Sequence, residues 1–100
     1  MKPEIEGRLH RSEIQVGAKG PHYCMFVRDG CVAVVPCDED TFGAIGSTGL
    51  AVDRGLGYLV YRDGRHLLAG RDFEIPAEPE QVEKILRFSA DLQAALGWGI

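Results

Sequence analysis

The chain has 100 residues, of which 45% are hydrophobic and 26% charged, with a formal net charge of −4 at pH 7. That composition excludes wholesale disorder, and no apolar run approaches the roughly 18 residues that a membrane-spanning helix needs. The acidic balance argues against general nucleic-acid binding and against docking on an anionic membrane, because both draw their affinity from Lys and Arg.

The N-terminal residues Met1-Lys2-Pro3-Glu4-Ile5-Glu6 contain no apolar leader core, so a cytoplasmic protein is the expectation. Ile5, Leu9, Ile14 and Val16 keep strand parity on either side of a polar break, which predicts two short strands with one wet face. Gly17-Ala18-Lys19-Gly20-Pro21 then interrupts the chain.

The strongest local signal follows. His22-Tyr23-Cys24-Met25-Phe26-Val27 and Val32-Ala33-Val34-Val35-Pro36 flank Asp29-Gly30. Asp-Gly between apolar β-branched runs predicts a type I′ hairpin, in which both central residues take positive φ. Both faces of this hairpin are apolar, so it is expected to be covered on both sides or to lie at an oligomer contact. Gly57-Tyr58-Leu59-Val60-Tyr61 and His66-Leu67-Leu68-Ala69 repeat the design around Asp63-Gly64. The shared Arg-Asp-Gly at 28–30 and 62–64 reads either as a duplicated hairpin unit or, the favoured option, as convergence on a good turn. Between the hairpins, the segment from Asp38 to Gly49 opens acidic and becomes glycine-rich, and Leu50-Ala51-Val52 predicts a short strand. A loop of this length either carries function or hides a short element.

Asp72-Phe73-Glu74-Ile75 alternates as a last strand, and Pro76-Ala77-Glu78-Pro79 stops it and opens a helix. Val82, Ile85, Leu86, Ser89, Leu92 and Leu96 form one stripe at helical spacing, ended by Gly97. The fold class is therefore α+β: one domain over residues 1–100, β-rich over 4–75, its antiparallel sheet built from hairpins and closed by one C-terminal helix over 79–96. Antiparallel strands followed by a helix entered through Ile75-Pro76, Pro79 and Val82 resemble small bacterial pleckstrin-homology-like domains. The resemblance implies a bent sheet plugged by the terminal helix. It rests on element order, and it transfers no binding residue to a numbered position. Lipid binding in that family uses a basic early loop, where this chain has only Arg8, Arg11 and Lys19. A generic sandwich of one helix across a four- to six-stranded sheet accounts for the same pattern.

Three candidate sites emerge. If Asp29-Gly30 is a tight turn, His22, Cys24, Cys31 and Cys37 share one sheet face, and His22, Cys24 and Cys37 converge at one end. Two thiols and an imidazole, completed by a carboxylate such as Asp38 or by His66, suit Zn²⁺. The alternative is that the cysteines are free, apolar core residues, an odd set of three with no Cys-x-x-Cys. A Cys24–Cys37 disulfide under oxidation is a further option. Gly46, Ser47, Thr48 and Gly49 offer backbone donors and hydroxyls to a small anionic ligand, without the Lys of a P-loop. Phe88, off the helix stripe, and Trp98 mark a candidate interface. Ser47 or a cysteine with His10, His22 or His66 and Asp38, Asp40 or Asp53 would supply catalytic atoms, but no spacing selects a set. No catalytic residue is designated and no cofactor is required, zinc being the alternative. The leading expectation is a non-enzymatic binding and assembly module that acts through protein contacts, its partner a second copy in a homodimer. The alternative is a small-ligand or metal-binding protein using loop 38–49 and the His22/Cys24/Cys37 end of the first hairpin.

Overall fold

A computed structural model describes residues 1–38 and 41–97. The sheet is antiparallel throughout. It comprises β1 (Gln15–Lys19), β2 (Tyr23–Arg28), β3 (Cys31–Asp38), β4 (Thr41–Phe42), β5 (Thr48–Val52), β6 (Gly55–Arg62), β7 (Arg65–Ala69) and β8 (Glu74–Pro76). The strands lie in the order β1-β2-β3-β5-β6-β7-β8, with β4 also paired to β3. Helix α1 (Pro3–Arg11) precedes the sheet and helix α2 (Pro79–Ala95) follows it.

The two Asp-Gly hairpins form as expected. Asp29 and Gly30 take φ of 48° and 84°, and Asp63 and Gly64 take 55° and 77°. Arg28 pairs with Cys31 and Arg62 with Arg65, which sets the register of the strands behind each turn. Helix α2 starts within a capping box between Glu78 and Gln81, and Gly97 ends it at φ 90°.

Two expectations are corrected and a third is resolved. Residues 3–11 form a helix, not a strand, so the β-rich region begins near residue 15. Ile5 and Leu9 are four residues apart and bury one helical face; Pro3 opens the helix, Glu4 and Glu6 occupy its first turn, and Arg8, His10 and Arg11 its last, all matching the helix dipole. The buried stripe of α2 is Ile85, Phe88, Leu92 and Ala95, at spacings of three, four and three. Phe88 is therefore fully buried and is not a surface residue, whereas Leu86, assigned to the stripe from the sequence, is 53% exposed. Finally, the segment between the hairpins hides a short element, β4, and Leu50-Ala51-Val52 is a strand as expected, within β5. Segment 41–52 runs along β3 as an interrupted strand, Cys37 pairing with Phe42 at one end and Ala33 with Thr48 at the other. The two pairings differ in register by two residues, which the bulged stretch 43–47 absorbs.

Both helices cover one face of the sheet. Cys24, Phe26, Cys31, Ala33, Val35, Cys37, Leu50 and Leu68 alternate onto that face and join Ile5, Leu9 and the α2 stripe in one core. Arg28 closes its rim. Its guanidinium donates to Asp91 Oδ2 at 2.8 Å and to the Ser12 carbonyl at 3.0 Å, and it lies 5.5 Å from the centroid of the Phe88 ring. Arg8 Nε donates to the Ala95 carbonyl at 2.8 Å and ties α1 to the end of α2. No helix among the described residues is long and apolar enough to cross a membrane.

Candidate functional site

The face of the sheet opposite the helices carries no covering element among the described residues. Strand alternation sends Tyr23, Met25 and Val27 of β2, Val32 and Val34 of β3, and Leu56, Tyr58 and Val60 of β6 to this side. Tyr23 is exposed and the other seven are half-buried, and Leu67 of β7, opposite Val60 on the same side, is buried. Gly49 and Ala51 of β5 sit between the two groups without a gap in pairing. No Asp, Glu, Lys or Arg interrupts this block. Charge appears only beyond it, where Arg62 pairs with Glu74 beside Arg65. The two-faced apolarity of the first hairpin was the sequence signal for this surface, and Tyr58 and Val60 extend it from the second hairpin.

One end of the face is concave. His22, Tyr23, Val34, Pro36, Gly46, Ser47 and Tyr58 line a depression of about 430 Å³. Its wall is the bulged stretch 43–47, held by hydrogen bonds from Gly43 N–H to the Pro36 carbonyl at 2.7 Å and from Gly46 N–H to the Val34 carbonyl at 3.1 Å. Phe42 and Ile45 pack inward against the core and anchor the same stretch. Phe42 meets Phe26 with ring centroids 6.1 Å apart.

The candidate ligand residues are thus divided. Gly46 and Ser47 reach the depression, together with His22. Thr48 lies opposite Ala33 on the core side, and Gly49 lies between Val32 and Tyr58 in the sheet. The Gly46 amide is already spent on Val34, which removes it from any anion cradle. Gly49 is required for another reason: a Cβ there would lie 2.6 Å from the Gly57 carbonyl oxygen of the next strand.

The thiols sit on the other face, beneath this depression. The predicted register holds, Cys24 opposite Val35 and the Cys37 N–H donating to the His22 carbonyl at 3.0 Å. Cys24 and Cys37 are buried with their sulfurs 3.5 Å apart, while His22 is exposed. Among the described residues no group of three or more His, Cys, Asp or Glu side chains is arranged to hold a metal ion. Burial pushes the Cys24 thiol above its ordinary pKa, and the hydrogen bond and charge of Cys37 push it the same way. Cys31 lies at the other end of the hairpin, its Sγ 3.9 Å from the Lys84 carbonyl, and burial raises its pKa as well. Of the two interface candidates, Phe88 is in the core and Trp98 lies outside the described residues. The chain matches no protein-family model, no curated protein and no solved structure.

Proposed function

We propose that this chain is a small, non-enzymatic binding and assembly module whose partner is a second copy of itself, joined through the bare sheet face. The observation that carries the reading is the uninterrupted apolar block from Tyr23 on β2 to Val60 on β6. Those strands span three intervals of about 4.8 Å, and two such sheets stack face to face about 10 Å apart. A molecule of net charge −4 repels its own copy at most surfaces, but this block is neutral and opposes like with like at no Coulomb cost. A strongly charged partner would gain nothing from it. The polar residues at its margin, Gln15, Ser47 and Arg65, fit the rim of an interface whose centre is apolar. Two-fold pairing is the commonest assembly of soluble chains. The free state of all three cysteines suits the reducing cytoplasm. The element order is also the one on which the pleckstrin-homology-like resemblance rests, with α1 as an addition at its front.

The test is native mass spectrometry with light scattering on the wild type and on Val34→Lys. Val34 points away from the core, so the variant keeps its fold, checked by circular dichroism. The expected result is a dimer for the wild type and a monomer for V34K. A wild type that stays monomeric across the micromolar range would overturn the reading.

The depression at His22, Tyr23, Ser47 and Tyr58 favours a second reading, a small-ligand protein. Its volume suits a small molecule, and two phenol rings, a hydroxyl and an imidazole line it. A monomer carrying a mass excess of a metabolite or of zinc would replace the first reading with this one.

A further inference from the structure

Cys24 and Cys37 occupy neighbouring strands at the end of the sheet that carries the depression. Their side chains point to the same face, two rungs of the β2–β3 ladder bring them diagonally together, and their sulfurs are already in contact at 3.5 Å. We infer that these two thiols are an oxidation site, closing to an intramolecular disulfide when the protein meets a small-molecule disulfide such as oxidised glutathione.

A disulfide needs sulfurs about 2.05 Å apart, so the pair must close by roughly 1.5 Å, by side-chain rotation together with a small approach of β2 and β3. Both residues are buried, Cys37 the less deeply at 7% against 1%, so the first attack is assigned to Cys37. The Cys37 thiolate attacks one sulfur of oxidised glutathione and breaks its S–S bond. One glutathione thiolate leaves and a mixed disulfide forms on Cys37. Cys24 then gives up its proton and attacks the Cys37 sulfur, expelling the second glutathione. The two protein thiols are oxidised by two electrons, the reagent is reduced to two glutathione thiols, and the two protons from the protein end on them. The raised pKa of Cys24 makes the second step slow near neutrality and faster as pH rises. Cys31 takes no part, because it faces the Lys84 carbonyl of α2 at the far end of the hairpin.

The position gives the bond a consequence. The Cys37 amide holds the His22 carbonyl, and Pro36 and Tyr23 are paired one rung away. Closing the bond ties β2 to β3 directly under the lining of the depression. The inference does not depend on what binds the outer face.

The experiment incubates the folded, reduced wild type with oxidised glutathione in mildly alkaline buffer. Remaining thiols are then trapped with N-ethylmaleimide in denaturant, and the intact protein and its peptides are weighed. The expected product carries one maleimide, on Cys31, a backbone mass about 2 Da lower, and a peptide linking Cys24 to Cys37. Cys31→Ala should show the same loss with no maleimide. Three maleimides on the wild type, a glutathione adduct that persists on Cys37, or a bridge that includes Cys31 would each overturn the inference.

Discussion

Arg28 illustrates how one residue joins three parts of the chain. It leaves the β2 edge of the core, crosses the Phe88 ring, and bonds both Ser12, after α1, and Asp91, on α2. Its side chain is 19% exposed but that of Asp91 is 42%, so solvent screens part of the ion pair. Arg28→Ala should cost about 1–3 kcal/mol, mostly through the uncapped Ser12 carbonyl and the lost cover over Phe88, read as a lower urea midpoint. The buried thiols make a second residue-scale prediction. Burial holds Cys24 and Cys31 protonated in the folded chain, above the ordinary value of 9.0. Below pH 9.0 both states keep the proton and the full stability is present. As pH rises past it, the unfolded chain ionises while the folded one does not, so stability falls. Urea midpoints in reductant should drop between pH 8 and pH 10, and Cys31→Ala should drop less than the wild type over that interval.

Among the elements, the hairpins were the most legible in the sequence because their cause is local. Asp29-Gly30 and Asp63-Gly64 need positive φ, and few other residue pairs supply it so readily. The sequence of α1 suits a strand as well as a helix because Ile5 and Leu9, four apart, satisfy both periods; their burial in the shared core decides. The buried stripe of α2 lies about one residue out of phase with the one its sequence suggests, which is enough to move Phe88 from surface to core. Of the broken strand 41–52, Leu50-Ala51-Val52 is legible from its apolar run, but the part from Thr41 to Ser47 is not, because β3 is what straightens it and no local pattern announces the two-residue change of register. The same non-local cause explains the candidate site. Gly46 and Ser47 were visible as residues, but their wall against Tyr23 and Tyr58 exists only once the strands pair. Gly49→Ala tests the contact that sets the β5–β6 spacing. The new methyl would lie 2.6 Å from a backbone oxygen that cannot rotate away, so the variant should lose about 1–3 kcal/mol in urea unfolding, far more than an exposed Gly→Ala change.

At the scale of the whole molecule, a single sheet with helices on one side has two unequal surfaces. One side is a packed core from Ile5 to Leu96, and the other is the apolar block that self-association would cover. If copies associate there, unfolding and dissociation are linked, and the melting temperature should rise with protein concentration in the wild type and stay constant in Val34→Lys. The strand order has its own consequence, which is kinetic. Every strand from β1 to β8 pairs with its neighbour in the chain, apart from the short detour of β4. Each pairing therefore closes only a small loop, and loop closure is the main entropic barrier to forming a sheet. The closures of long range are those of the helices, Arg28 to Asp91 across 63 residues and Arg8 to Ala95 across 87. Folding can advance rung by rung from the two Asp-Gly turns, and the meeting of the two helices is then the step that waits for all the others.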